Sequence, residues 1–202
     1  MTTDRARELL EAAARQFAHR RYEAVSLPDI ADEAVATVAE VSDAFPTVRD
    51  AAIAVLTAEG SSMREAQRRA SAESDDPLRV LERTFALVGD NMANSLVVRA
   101  GMRLAAESRQ HVPERNIDPY RTWSSYLIGL LEEANRRGQL RSGLDVPAVA
   151  WLFVATAIGA KELISFQNAW PEAEARLGDC AAMLIDAIRA HPKHVPETPG
   201  RR

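Results

Sequence analysis

Several large apolar side chains are spread along the chain so that they could line a binding cavity between helices. They are Phe85, Met92, Trp123, Trp151 and Phe166. Cavities of this kind in helical proteins take small molecules that are mostly apolar. Each side chain could equally pack in an ordinary hydrophobic core, and Trp151 fits better in a subunit interface. The residues alone leave both interpretations open.

A second group of residues could supply charge to such a cavity. Arg99, Arg103 and Glu107 follow one another at intervals of four, which places them on one face of a helix. The ordinary interpretation is an i,i+4 ion pair on the surface. The alternative is that the helix presents a buried arginine to a carbonyl or carboxylate group of a ligand.

No pattern typical of a catalytic, cofactor or metal site accompanies these residues. The four histidines have no carboxylate or thiol at metal-ligand spacing, and there is a single cysteine. The sequence contains no glycine-rich phosphate loop, nucleophile elbow or HExxH motif. We therefore predict no catalytic residues, no metal and no cofactor, and whether the protein is an enzyme stays open.

The composition is that of a folded globular protein that is not basic. The 202 residues include 25 basic and 29 acidic side chains, which gives a formal net charge of −4, and 47% are hydrophobic. This balance excludes a disordered chain and a surface that is basic throughout. The longest apolar run, residues 148–160, is shorter than the roughly 20 residues that cross a bilayer and predicts a buried helix. We expect a cytoplasmic protein that does not enter a membrane.

Apolar residues recur at intervals of three and four, which predicts an all-α fold of about nine helices. Capping residues mark the starts of several of them, such as Ser26, Thr47 and Asp145. The predicted helices cover residues 4–20, 26–34, 38–44, 47–70, 77–91, 95–108, 118–138, 145–167 and 171–190.

The predicted helices group into two domains. Residues 1–48 form a small head of three helices, and residues 49–190 form a larger helical body. Residues 110–117 are predicted to be a loop. Residues 191–202 contain three prolines and no apolar periodicity, which predicts a disordered tail.

This layout resembles the TetR family of bacterial regulators. The matching positions lie in the first 50 residues: Phe17, Tyr22, Ser26, Ile30-Ala31, Ala34 and Phe45-Pro46. The resemblance implies a helix-turn-helix, whose first short helix braces on the phosphate backbone while the second reads base edges in the major groove. It makes polar residues on and after the second helix the candidates for DNA contact: Thr37, Glu40, Ser42 and Arg49.

The C-terminal half is similar to the γ-butyrolactone receptor branch of that family, from actinobacteria. The similar segments are residues 118–123, 130–131, 138–140 and 145–159. In that branch a tryptophan at the position of Trp123 lines the signal pocket, so the resemblance implies a small hydrophobic signal as the ligand. The candidates for ligand contact are therefore Trp123, Phe85, Met92, Arg103 and Phe166.

The helix-turn-helix departs from the family pattern at two places. The family usually has glycine at the turn, where this chain has Val35, and a β-branched residue is disfavoured at positive φ. We therefore expect the turn to have changed shape. The recognition helix has Ser42 and Ala44 in place of the family's tyrosine and histidine, and Val48 replaces its phosphate-binding lysine.

The head is acidic where the family needs positive charge. Residues 1–60 contain six arginines and eleven carboxylates, and the recognition helix has Glu40 and Asp43 but no basic residue. Because neutralisation of phosphates supplies most non-specific affinity for DNA, this charge argues against DNA binding. The alternative is that the acids face away from a one-sided basic patch of four arginines: Arg5, Arg15, Arg20 and Arg21.

The last two predicted helices carry more apolar surface than one chain of this size buries easily. Two such helices from each of two subunits would form a four-helix interface with two-fold symmetry. The sequence therefore predicts a homodimer through residues 145–167 and 171–190.

Three functions follow from these observations. The main hypothesis is a ligand-responsive repressor, in which a signal near Trp123 changes the separation of the two reading heads. The second keeps the dimer and the pocket but lacks DNA binding, leaving a protein that binds a signal or a partner. The third is an enzyme of specialised metabolism that has recruited the pocket, with a few polar groups as places to look: Asp90, Arg103, Glu107 and Tyr126.

Overall fold

The computed structural model describes residues 2–111 and 118–190, and over these residues its secondary structure is helical apart from one isolated β-bridge between Leu140 and Arg189. The nine helices are α1 (Thr3–His19), α2 (Leu27–Glu33), α3 (Val38–Ala44), α4 (Val48–Glu73), α5 (Pro77–Asn94), α6 (Leu96–His111), α7 (Pro119–Arg136), α8 (Val146–Phe166) and α9 (Ala173–Ile188). The predicted all-α fold is confirmed. The predicted tail, residues 191–202, lies outside the described residues.

Two single turns of 3₁₀ helix lie between neighbouring helices. Tyr22–Ala24 lies between α1 and α2, and Trp170–Glu172 precedes α9. The second contains Pro171, the predicted start of the last helix, so the prediction of a helix over residues 171–190 needs a correction: α9 begins at Ala173. The predicted loop over residues 110–117 needs a correction at its start, because α6 continues to His111. The other residues of that loop up to Ile117 lie outside the described part of the chain.

Three successive helices near the N terminus begin with the same device, a capping box. In each one the N-cap hydroxyl accepts a hydrogen bond from a backbone N–H, and a carboxylate three residues later accepts one from the N-cap N–H. The pairs are Ser26–Asp29, Thr37–Glu40 and Thr47–Asp50. Because α2 and α3 have only seven residues each, these caps and tertiary packing define them more than helix propensity does.

The turn between α2 and α3 keeps the left-handed conformation that usually calls for glycine. Val35 has a φ of 49°. The Ala36 N–H donates to the carbonyl of Ala31 at 2.9 Å and the Val35 N–H donates to that of Asp32 at 3.3 Å, which is a Schellman motif. The expectation of a changed turn is therefore wrong. Valine adopts the strained backbone conformation, and its side chain is 91% exposed.

The buried side chains form two clusters that share α4 and α6. One cluster joins α1, α2 and α3 to the first half of α4 and to Ala100 and Leu104 of α6. The other joins the second half of α4 to α5, α7, α8 and α9. Both long helices thus belong to the packing of the head and of the body. The division at residue 48 stays a prediction.

Helix α8 is only partly covered in the single chain, although the apolar run in it predicts a buried helix. Ala150, Phe153 and Ile164 are buried, whereas Trp151 and Phe166 are 67% and 90% exposed. Among the described helices, α8 is the one that is long and apolar enough to span a membrane by length and composition. An apolar surface of this kind on a helix is also typical of a subunit interface.

Candidate functional site

A cavity of about 130 Å³ lies between six helices of the body. Its lining is predominantly apolar and comes from α4 (Glu59, Met63), α5 (Phe85, Val88, Met92), α6 (Met102, Ala105, Ala106), α7 (Tyr120, Trp123, Leu127), α8 (Val154, Ala157, Ile158, Lys161, Glu162) and α9 (Leu177). An engineered apolar cavity of about 150 Å³ holds a benzene molecule, so this space accepts a group of roughly one ring.

Three of the five predicted ligand residues meet in this cavity. Phe85 and Met92 of α5 are almost completely buried, and Trp123 of α7 is half-buried. Phe85 is held by an edge-to-face contact with Phe153, with ring centroids 5.6 Å apart. These three side chains therefore share one cavity wall, and their contact with a ligand stays a prediction.

Trp123 is held in place by a small network of contacts between α7 and α5. Its indole packs edge-to-face on Tyr126, with centroids 5.9 Å apart. The Tyr126 hydroxyl lies 2.9 Å from the hydroxyl of Thr84, which is fully buried and donates to the carbonyl of Val80. Burial raises the pKa of Tyr126, so the phenol stays protonated. Tyr126 therefore positions the indole.

The structure does not bring the other two predicted ligand residues, Arg103 and Phe166, to the cavity. The Arg103 guanidinium donates at 3.0 Å to the carbonyl of Ala18, in the last turn of α1, where a cation is favoured by the helix dipole. It also lies 4.0 Å from the Glu107 carboxylate. Phe166 ends α8 on the exposed apolar surface and is not part of the cavity lining.

The polar members of the cavity lining were missed by the sequence argument. They are Glu59, Tyr120, Lys161 and Glu162. A signal for Glu59 exists in the sequence, because it falls in the stripe of α4 that also holds Val55, Leu56 and Met63, all of them buried. A carboxylate at a core position is rare enough to mark a site.

Glu59 lies at a close contact between α4 and α6. A Cβ atom on Gly101 of α6 would lie 2.3 Å from the Cβ of Glu59, so only glycine allows this contact. Burial raises the pKa of Glu59 to about 7, and the charge of Arg64 opposes that rise. Near neutral pH the cavity therefore contains a carboxyl group that is partly protonated.

The four predicted DNA-contact residues lie on and beside α3, and two of them already have structural roles. The Thr37 hydroxyl and the Glu40 carboxylate complete the capping box of α3. Glu40 also lies 3.4 Å from the guanidinium of Arg5. Ser42 and Arg49 are half-buried. Hydrogen bonds from Thr37, followed by the charge of Arg5, lower the pKa of Glu40.

The basic patch that was left open as an alternative is not formed as a set of unpaired charges. Arg5 lies 2.8 Å from Glu8, Arg15 lies 2.6 Å from Glu33, and Arg20 lies 2.7 Å from Asp29. The fourth member, Arg21, is exposed. A hydrogen bond from Ser26, and then the contact with Arg20, lower the pKa of Asp29 to about 2. The surface arginines of the head are thus largely matched by its own carboxylates.

The end of α6 is joined to the head by a stacked pair of rings. His111 stacks on Tyr22 with centroids 4.3 Å apart. The Nε2 atom of His111 lies 3.5 Å from a Glu23 oxygen and 3.7 Å from a Glu107 oxygen. Together with the hydrogen bond of Arg103, this pair ties α6 to the head at two places.

Comparison with known families and structures agrees with this geometry. Residues 9–47 match the family model described as bacterial regulatory proteins, tetR family. These residues contain α2, α3 and the turn between them. No curated protein sequence matches the chain.

Solved structures that resemble the whole chain include several regulators. A structure described as "Molecular basis for control of antibiotic production by a bacterial hormones" is 27% identical, with a TM-score of 0.74 over 94% of this chain and 100% of that one. A γ-butyrolactone receptor (ArpA like protein) is 23% identical, with a TM-score of 0.73 over 91% and 98%. The TetR family protein CprB from S. coelicolor A3(2) is 23% identical, with a TM-score of 0.79 over 93% and 90%.

Proposed function

The chain belongs to the TetR family of bacterial regulatory proteins, and from this premise we propose that it is a ligand-responsive regulator of transcription. The observation that carries the proposal is the apolar cavity, whose walls include α4 and α6. These are the two helices that also pack in the core of the head. A molecule in the cavity therefore touches the elements that hold the head in position.

The route from cavity to head is short along both helices. Glu59 and Met63 line the cavity from α4, which begins directly after α3 and its C-cap Phe45. Met102 lines it from α6, next to Arg103, which donates to the carbonyl of Ala18 in α1. A ligand changes the orientation of the head only as far as it binds one arrangement of these helices more tightly than another.

The proposed ligand is a small and mostly apolar molecule. Phe85, Met92 and Trp123 are its expected contacts, because they combine large apolar area with a shared cavity. Similar solved structures are described as γ-butyrolactone receptors, so lactones of that class are the first compounds to try.

The proposed assembly is a homodimer in the cytoplasm, formed through α8 and α9. Trp151, Leu163 and Phe166 of α8 and Met183 of α9 are each at least 60% exposed in the single chain. The two helices pack against each other, and Ile164 of α8 and Leu177 of α9 are both buried in the body core. Pairing this surface with a second copy would bury the apolar side chains and set the distance between the two heads.

The head is expected to bind DNA with little help from charge. Thr37, Ser42 and Arg49 stay candidates for DNA contact, whereas the carboxylate of Glu40 is occupied by the capping box and by Arg5. Because few phosphates would be neutralised, the affinity for DNA should depend on salt concentration less steeply than it does for a DNA-binding domain with a basic surface.

Selection from a randomised duplex library with the purified dimer at low salt tests this proposal. Enrichment of a two-fold symmetric sequence is the expected result, since a symmetric dimer reads two half-sites. If a folded dimer enriches no sequence, the regulator assignment fails and a signal-binding protein without DNA affinity takes its place.

A further inference from the structure

We propose that the ligand of the cavity donates a hydrogen bond to Glu59, so that the protein selects apolar molecules carrying a hydroxyl or a protonated amine. This inference rests on the proposed function for the cavity as the ligand site, and it adds the chemical class of the ligand. The residue that determines specificity is then Glu59 of α4, which accepts hydrogen bonds, whereas the sequence predicted Arg103, a donor, for this role.

The geometry places an acceptor in an otherwise apolar surface. Glu59 lines the cavity together with Met63, Phe85, Met92 and Trp123. Its helix neighbours Val55, Leu56 and Met63 are buried, so the carboxylate lies on the core side of α4. A ligand whose ring packs on Trp123 or Phe85 can therefore bring a polar group to this side of the cavity.

The carboxylate has an unused capacity to accept hydrogen bonds. Within the described part of the chain, Glu59 takes part in no hydrogen bond and no ion pair. Its side chain is half-buried, so solvent still reaches it, and a donor that arrives with the ligand replaces this contact with water in apolar surroundings. Burial raises the pKa of Glu59 to about 7, which shows how poorly water and protein stabilise its charge.

The charged and titratable groups around Glu59 leave the acceptor available. Arg64, on the same helix, acts on it only through its charge. On α8 the Lys161 ammonium lies 2.5 Å from the Glu162 carboxylate, which holds it in an ion pair. Tyr120 of α7 contributes the remaining titratable group of the lining.

Gly101 keeps Glu59 in this position. Its missing side chain lets α6 contact the Cβ and Cγ atoms of Glu59, where an added Cβ would lie 2.3 and 2.7 Å away. The stem of the side chain is therefore enclosed between two helices. A group positioned in this way gives more specificity than a mobile surface carboxylate, because less conformational entropy is lost on binding.

Three probes of equal shape test the proposal: ethylbenzene without a donor, benzyl alcohol with a neutral donor and benzylamine with a cationic one. Their affinities are measured by calorimetry or ligand-observed NMR on the full chain and on E59L and E59Q. The matched control is E65Q, because Glu65 lies on the same helix but pairs with Arg68 on the surface. Circular dichroism confirms that each variant is folded.

We expect benzyl alcohol, benzylamine or both to bind the unmodified protein at least about tenfold more tightly than ethylbenzene, the effect of one hydrogen bond to a charged group. E59L should abolish this preference, and E65Q should preserve it. If E59L does not fold, E59Q decides between the two donors. It keeps an acceptor oxygen for the alcohol and loses the charge, which matters most for the amine, so benzylamine should weaken more than benzyl alcohol.

The pH dependence distinguishes the two donor classes further. If benzylamine binds, its affinity should rise from about pH 5 to about pH 8 as Glu59 loses its proton, and E59Q should remove that rise. The proposal is overturned if neither donor binds, if ethylbenzene binds as tightly as the donors, or if E59L leaves the preference unchanged. The last two outcomes leave the regulator assignment intact, because it is tested by selection of DNA.

Discussion

At the level of single residues, the carboxylates of the head and the carboxylate of the cavity have opposite surroundings. Asp29 and Glu40 accept hydrogen bonds from N-cap residues and lie beside arginines, and both have lowered pKa values. Glu59 lies against apolar side chains, and its pKa is raised to about 7. Asp29 and Glu40 therefore stabilise helix starts in the head, whereas Glu59 is available to a ligand.

Replacing Val35 with glycine should stabilise the head. A β-branched residue at a φ of 49° is strained, and glycine adopts that conformation without this cost. We expect V35G to raise the free energy of unfolding by about 1 kcal/mol in urea titrations. A39G, on the exposed surface of α3, should have the opposite sign because it lowers helix propensity. Equal destabilisation by both variants would contradict the assignment of strain to Val35.

Replacing Glu59 with glutamine should change how stability depends on pH. Between its unfolded value near 4.5 and its folded value of about 7, Glu59 holds a proton in the folded state that the unfolded state releases. Its contribution to stability is therefore complete at low pH and is lost as pH rises through this window. We therefore compare free energies of unfolding at pH 5, inside this window, and at pH 8, roughly one unit above it. The free energy of unfolding of E59Q minus that of the unmodified protein should be larger at pH 8 than at pH 5.

Urea titrations of both proteins at the two pH values measure this difference directly. A stability difference that is the same at both pH values would show that Glu59 titrates as an exposed carboxylate, and the cavity would then lack the property that makes it selective.

At the level of elements, the contact of α4 with α6 connects cavity and head. Both helices line the cavity, and both pack in the core of the head. Arg103 and His111 add polar and aromatic contacts from α6 to the head. The spacing of α4 and α6 is consequently the structural variable through which a ligand would act.

G101A tests this contact. The new methyl group would lie 2.3 Å from the Cβ of Glu59, so the helices must move apart, and we expect a loss of about 1–3 kcal/mol in stability. The matched control is G129A on α7, where no atom lies within 4 Å of the added Cβ. The free energy of unfolding of G129A should rise by up to about 1 kcal/mol, because alanine has a higher helix propensity than glycine. If the melting temperatures of G101A and G129A shift in the same direction, the close contact of α4 with α6 at Gly101 is contradicted.

At the scale of the whole molecule, the exposed apolar surface of α8 and α9 is the feature that a single chain leaves unexplained. Phe166 is 90% exposed and Leu163 is 60% exposed. Because these side chains contribute little to the fold of one chain, charges introduced there should break a dimer without unfolding it. L163E with F166E should sediment as a monomer at micromolar concentration with its helix content unchanged.

The control for that experiment is V38E, which adds one charge to an exposed apolar residue of the head. It should remain a dimer in the same centrifugation run. A monomer for the unmodified protein, or a dimer for L163E/F166E, would remove the interface assigned to α8 and α9.

Much of the fold could be predicted because helix boundaries are set by local chemistry. Thr47 and Asp145 are N-caps as predicted, and Gly138 follows the C-cap of α7 with a φ of 69°. The contact of Arg103 with Ala18 could not be predicted in the same way, because 85 residues separate the two and only packing brings them together. Glu59 was missed for a different reason: a carboxylate on a helix is normally expected to face the solvent.

In each chain the cavity and the head share α4 and α6, so binding at one should affect binding at the other. The direct test is to measure the affinity of the dimer for a library-selected duplex by fluorescence anisotropy as a cavity ligand is added. We predict that affinity for the duplex falls as the ligand saturates, and that bound duplex weakens the ligand by the same factor, as linkage requires. A duplex affinity that does not change at saturating ligand, or the failure of any duplex to be selected, would contradict the account.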